Sequence, residues 1–193
     1  FKLEFKNIRK EHFMEITFVT SNQVKFEIAK MGIAGSKIRL LREELEVDEI
    51  QSIDIEEIAS KSADIVYSKI NKSIAVSDAG FYIEALNEFP GPLVKYANYY
   101  LDSEDILRLM EGIDNRKIMI RDCLHLIVEG KKYSLVSEWL GEISNRVHLG
   151  SGTTFERIVI PSGHSKALSE FSLDEQIIFW ANNSPWKKVD SLF

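Results

Sequence analysis

The sequence predicts an α/β protein, and three observations carry that reading. An apolar run, Met14 to Thr20, breaks at a polar dipeptide and is followed by a segment of helical spacing. A strongly periodic helix, Ile55 to Ile70, stands just ahead of a short β-branched run, Ile74 to Val76. Two alternating segments, Lys117 to Glu129 and Tyr133 to Ile143, meet at Glu129-Gly130-Lys131-Lys132, a hairpin signal. At 193 residues, 45% hydrophobic and 28% charged, the chain has the size and composition of one globular domain with a substantial core.

Taken in order, residues 1–13 precede Met14, a natural start. They read as an upstream extension or a non-native remnant without function, leaving 14–193 as the domain. Their pattern, FKLEFKNIRKEHF, is not that of a signal peptide. The first strand ends at Thr20-Ser21-Asn22, and Val24, Ile28 and Met31 then mark one face of a helix with Lys25 in its opening turn. A strand, a polar loop and a helix N-terminus form an anion site, because unpaired N–H groups and the helix dipole point at the loop. Ser21 or Asn22 would equally serve as a plain N-cap.

A second strand is expected around Lys37 to Leu41. The long helix follows, its apolar residues Ile55, Ile58, Ala59, Ala63, Val66, Tyr67 and Ile70 at steps of three and four. Asp54 and Glu57 suggest a capping box. The Ile74–Val76 strand is expected to end at Ser77-Asp78-Ala79-Gly80, placing a carboxylate at a strand tip beside a permissive glycine; a strand-end aspartate can also be only a turn former. An alternating segment, Phe81 to Leu86, leads to a Pro90-Gly91-Pro92 turn that feeds Lys95 and Tyr96.

Beyond Asp102, Ser103-Glu104-Asp105 reads as a capped helix start, with Ile106, Leu109 and Met110 inward and Gly112 ending it. In the hairpin, Arg121, His125 and Glu138 belong to the more exposed face, and His125 is assigned no role. Gly150 to Glu156 is a glycine loop before a strand at 157–160, and Pro185 is expected to end or restart the last helix.

Composition limits function. The net charge of −6 argues against non-specific binding to a nucleic-acid polymer but is neutral toward a nucleotide monomer. No apolar run approaches the ~18–20 residues that span a membrane. One cysteine, Cys123, excludes an internal disulfide, reads as a small core residue, and fits a reducing, cytoplasmic location.

The motifs themselves resemble the inosine triphosphate pyrophosphatase family, whose members cleave deaminated purine nucleoside triphosphates to monophosphate and pyrophosphate. The resemblance runs from Met14 to the C-terminus with motif order kept. It rests on T-S-N-x-x-K at Thr20–Lys25, E-I-Q at Glu49–Gln51 ahead of a helix containing Glu57-Ile58-Ala59, and D-x-G-F-x-I-x-A-L-x-x-x-P-G from Asp78 to Gly91. Gly150, Gly152 and Phe155 match the family's glycine loop, with Glu156 in place of an aspartate, and Ser169 to Gln176 resembles its C-terminal motif.

The resemblance implies an elongated fold, a central mixed sheet flanked by helices, with two lobes, a cleft between them and usually a homodimer. It implies Mg²⁺ held by Glu49 and Asp78, and a catalytic set of Asp78, Glu49 and Lys25. Substrate would be bound by Thr20, Ser21, Asn22, Lys25, Ala79, Gly80 and Lys95, with Phe155, Glu156 and Gln176 at the base. The chain departs from the family at Ser77, where an acid is common, and at Ser62, where a lysine sits in the helix. Thr153 replaces an aromatic, Gln176 a lysine, and Trp180, Ala181 and Asn182 a Ser-His-Arg triplet. The expected function is therefore Mg²⁺-dependent pyrophosphatase action on non-standard purine triphosphates (ITP, XTP, dITP) with altered base specificity. The alternatives are a modified-pyrimidine pyrophosphatase and a non-catalytic nucleotide-binding or dimerisation module.

Overall fold

The structure is a computed structural model and describes residues 13–193. Residues 1–12, most of the expected extension, lie outside the described residues. Seven strands form one sheet: β1 (Met14–Val19), β2 (Ile38–Glu43), β3 (Ile74–Ile83), β4 (Pro90–Gly91), β5 (Lys117–Val128), β6 (Lys131–Ile143) and β7 (Val159–Pro161). Their order is β2-β1-β3-β5-β6-β7, with β4 beside β3. The β2-β1-β3 pairings are parallel and the rest antiparallel, so the sheet is mixed. The helices are α1 (Gln23–Gly32), α2 (Ile55–Ile70), α3 (Val94–Tyr100), α4 (Ser103–Leu109) and α5 (Leu173–Asn183), and a 3₁₀ helix, Pro185–Leu192, restarts the chain after Pro185.

Alternation decides which faces of the sheet are covered. On β3, Ile74 and Val76 face α2, where Ala63, Val66 and Ile127 complete a cluster, and Ile55, Ala59 and Cys123 pack beside it. Ala75 faces the other way, with Phe18, Leu124 and Leu126, and is covered by Ala29 of α1 and by Trp186 and Val189 of the C-terminal 3₁₀ helix. The other end of the sheet has its own core, in which Ile83, Ile118, Ile120, Ile106, Met110 and Phe155 are fully buried. The hairpin turns on Glu129 and Gly130, both at positive φ (50° and 79°), the twist-matched turn for two strands.

The main correction concerns β3. It does not end at Ser77–Gly80 but runs unbroken for ten residues, paired with β5 from Ile74↔Ile127 to Ile83↔Ile118. The strand that stops is its neighbour: β1 pairs β3 only at Thr17↔Ile74 and Phe18↔Ala75 and ends at Val19, and β4 joins only at Phe81 and Tyr82. Asp78 thus lies mid-strand on a stretch of edge with no strand beside it. Gly80 is there for space rather than for a turn, since a Cβ would meet the Tyr82 ring at 2.7–2.9 Å.

Smaller corrections follow the same logic. Leu109 is 50% exposed, because α4 turns Ile106 and Met110 inward and stops. Asp54 does cap α2, accepting from Glu56 and Glu57 N–H, but Glu57 does not reach back; Ser52 donates to it (2.8 Å) and itself accepts from Asp54 N–H (3.0 Å). Residues 84–86 are a 3₁₀ turn, β7 is shorter than expected, and α3 had no sequence forecast.

Candidate active site

The first wall of the site is the N-terminus of α1. The Asn22 side chain accepts from Val24 N–H (2.9 Å) and Lys25 N–H (3.2 Å), and Thr20 Oγ1 accepts from Asn22 N–H (3.1 Å). The first turn holds no acidic residue and does hold Lys25. That is the reverse of what the helix dipole favours within a helix, and it leaves a positive end facing an opening.

The floor is the open edge of β3. Asp78 is partly buried, and its carboxylate accepts from the Ala79 N–H at 2.9 Å. Burial holds the Asp78 carboxyl above its usual range; Lys25, the Ala79 hydrogen bond and Lys95 pull it down, and Glu49 pushes it up. Glu49 comes from the irregular segment between β2 and α2. Gln51 of that segment donates to the Tyr96 hydroxyl (3.3 Å), which ties it to α3, the carrier of Lys95.

Two cavities meet over this floor, of about 540 and 550 Å³, and share Asn22, Lys25, Glu49, Ser77, Asp78 and Lys95. The second extends over Thr20, Ser21 and Ser62. The first extends over Ala79, Thr153, Glu156, Gln176 and Trp180. The structure therefore gathers Thr20, Ser21, Asn22, Lys25, Glu49, Asp78, Ala79, Lys95, Glu156 and Gln176 around one continuous opening. It leaves out two expected residues. Phe155 is fully buried, its ring 5.5 Å from that of Phe81, because its loop turns the aromatic into the core. Gly80 lies under the Tyr82 ring, away from both cavities. Of the replaced triplet, Trp180 reaches the cleft, Ala181 is buried and Asn182 is exposed.

The wall carrying Glu156 is latched. Gly150, at φ 113°, sits so close to the Ser169 carbonyl that a Cβ would overlap it. Ser169 N–H donates to Glu156 O (2.9 Å) and Ser169 Oγ to Leu149 O (3.0 Å). On the other side, Thr154 Oγ1 donates to Leu101 O and Ser103 Oγ to Thr154 O.

Sequence reading missed Asp122. It lies on β5 directly opposite Ala79, lines the first cavity, and takes the face that α1 and the C-terminal 3₁₀ helix cover. Burial pushes its carboxyl up to about 7, opposed by Lys25 and a hydrogen bond from Ser184 and reinforced by Asp78. A signal existed: alternation puts Ile118, Ile120, Leu124 and Leu126 on its face, so a carboxylate interrupts an otherwise apolar row.

Asp78 and Glu49 offer hard oxygen donors from separate elements. Among the described residues no three His, Cys, Asp or Glu side chains form a ready cation cluster. A pair of carboxylates suits a hard cation such as Mg²⁺, which takes one or two carboxylates and completes its shell with phosphate and water. Among the described residues, no helix is long and apolar enough to cross a membrane.

Comparison with known proteins agrees with this geometry. The family model described as Ham1 family matches residues 16–178. A dITP/XTP pyrophosphatase of Methanopyrus kandleri is 32% identical over 164 residues, 84% of this chain and 87% of that protein. One of Pyrococcus horikoshii is 31% identical over 165 residues, 84% and 88% of the two chains. Among solved structures, a HAM1 protein from Coxiella burnetii superposes with TM-score 0.78 at 17% identity, covering 93% of this chain and 98% of that one. The Staphylococcus aureus Ham1 protein gives 0.71 at 18%, covering 92% and 95%. On the match over residues 16–178 and the identity with the archaeal proteins, the chain belongs to the Ham1 family.

Proposed function

We propose that the protein is a Mg²⁺-dependent nucleoside triphosphate pyrophosphatase, converting a triphosphate and water to a monophosphate and pyrophosphate. The observation that carries this is Asp78, a desolvated carboxylate on an open strand edge with Lys25, Glu49 and Lys95 close enough to act on it. The names of the archaeal relatives support the same reaction.

Asp78 and Glu49 would hold Mg²⁺, which would supply positive charge against the developing charge of the leaving group. The chain does the rest. Lys25, Lys95 and the positive N-terminal end of α1 hold and orient the triphosphate. Asp78 accepts a proton from the water that attacks the α-phosphorus. The α–β bridging oxygen leaves on pyrophosphate, and the Asp78 proton returns to solvent. Positioning and electrostatics provide most of the acceleration, so the lack of a histidine is no obstacle.

The relatives' names point to non-standard purine triphosphates, and the wall at Glu156 and Gln176 modifies the choice of base. The resemblance and the absence of a disulfide support a cytoplasmic enzyme. Exposed Tyr96, Tyr99 and Tyr100 on α3 support association with a second copy. The test is pyrophosphate release with Mg²⁺ from ITP, XTP, dITP, ATP, GTP, dUTP and TTP. Release from any of them supports the reaction, and no release from folded protein overturns it.

A further inference from the structure

The side chains at 78, 80 and 82 share one face of β3, and Gly80 leaves the middle place open. The Tyr82 ring fills it. A Cβ on Gly80 would meet the Tyr82 hydroxyl oxygen at 2.8 Å, so the ring runs back along its own strand towards Asp78. It is braced on two sides. Gly91 of β4 lies against one edge, where a Cβ would stand 3.4 Å from Tyr82 Cε1. Arg121, directly opposite Gly80 on β5, sits 5.4 Å from the ring centre and donates through Nε to Glu138 (2.7 Å).

A phenylalanine would supply the same ring, so the hydroxyl is the part that needs a reason. It is buried, on a residue only 7% exposed, and has no hydrogen-bond partner among the described residues. A buried donor left unmatched costs stability. Burial pushes the hydroxyl up to about 12 against the charge of Arg121, and among carboxylates Asp78 acts on it most, ahead of Glu88 and Asp54. Glu88 and Asp54 are exposed and are answered by water, whereas Asp78 is partly buried. Asp78 accepts from Ala79 N–H with Oδ1, and its other oxygen has no such bond.

We infer that Tyr82 is a positioning residue: in the complex with substrate its hydroxyl donates to the second Asp78 oxygen. With Ala79 N–H on one oxygen and the phenol on the other, the carboxylate is fixed in rotation, and its remaining lone pairs are left for the attacking water. Bonds of this kind tighten in the substrate complex. The inference rests on the hydrolase reading of Asp78 and adds to it a residue that lines neither cavity and acts from behind the carboxylate.

The test is steady-state pyrophosphate release with Mg²⁺, from ITP or whichever of the triphosphates tested is turned over fastest, with the melting temperature measured alongside. Tyr82→Phe keeps the ring and removes only the hydroxyl. Its kcat is expected to fall about tenfold, the size of one hydrogen bond to a charged group. KM should change by less than about twofold, and the melting temperature should stay at or above that of wild type. Rate and stability then part company, which a packing role would not produce. Asp54→Asn and Glu88→Gln, at the other carboxylates that act on the hydroxyl, should keep the wild-type kcat. An unchanged kcat in Tyr82→Phe overturns the inference, as does a change confined to KM, or a loss of equal size in Asp54→Asn or Glu88→Gln. In each of those outcomes the wild type still turns over and the hydrolase reading stands. No release by folded wild type from any triphosphate overturns that reading and the inference with it.

Discussion

The helices α1 and α5 both line the cleft, and their N-termini are built on opposite principles. At α5, Ser172 Oγ accepts from Glu175 N–H (3.2 Å) and Glu175 accepts from Ser172 N–H (2.7 Å), with Asp174 beside them. That helix answers its own positive end. At α1 the cap is Asn22 alone, no acid follows, and Lys25 adds charge to charge. A helix start with no acid of its own and a lysine in its first turn favours an anion beside it. The contrast supports α1 as the wall that meets phosphate.

Four changes break or sharpen that contrast. The largest effect is expected from Asp78→Asn, which keeps the shape but removes the proton acceptor and a metal ligand. Pyrophosphate release should fall by about 10³-fold or more, with a melting temperature at or above wild type because a buried charge is gone. Lys25→Glu would give α1 the acidic first turn that α5 has. The helix should gain a few tenths of a kcal/mol, while nucleotide affinity by calorimetry drops roughly 100-fold, about 2.7 kcal/mol.

Asp122→Asn tests the floor between the two ends through stability rather than rate. The folded-state carboxyl is raised to about 7 from an ordinary 3.8, so the folded protein holds a proton that the unfolded chain has released. Stability from this group is therefore present below about pH 4 and is lost as pH rises to about 7. The full shift would be worth about 4 kcal/mol; residual exposure of Asp122 brings the expectation to about 2 kcal/mol. In metal-free denaturation between pH 4 and 8, wild type should weaken with rising pH and Asp122→Asn should not. An identical slope in both would remove Asp122 as the cause. The smallest effect is Ser172→Ala. Losing half of the capping box should cost about 1 kcal/mol, or roughly 2–4 °C in melting temperature, with catalysis at saturating nucleotide unchanged.

What the sequence made legible was local. The Thr20–Lys25 turn, the period of α2 and the two-residue hairpin turn depend on neighbours a few residues away, and each stands where the pattern put it. Asp78 was singled out as a candidate site residue but misplaced on its strand, because the end that matters belongs to β1, more than fifty residues earlier in the chain. Asp122 was invisible as a site residue for a similar reason. Its environment is made by Lys25 and Ser184, which the chain brings in from opposite ends. Phe155 misled because a motif fixes a residue's type and order, while the direction in which a loop turns its ring is set by what packs beneath.

The close approach of Gly150 to the Ser169 carbonyl has a consequence for how such a cleft can change over time. With Ser169 also bonded to Leu149 and Glu156, the segment bearing Glu156 and the turn leading into Gln176 form one rigid plate. Neither edge of the plate can be retuned by sliding its backbone without moving the other. New selectivity on this wall has to arrive by exchanging side chains on a fixed frame, and Thr153, Gln176 and Trp180 are substitutions of that kind.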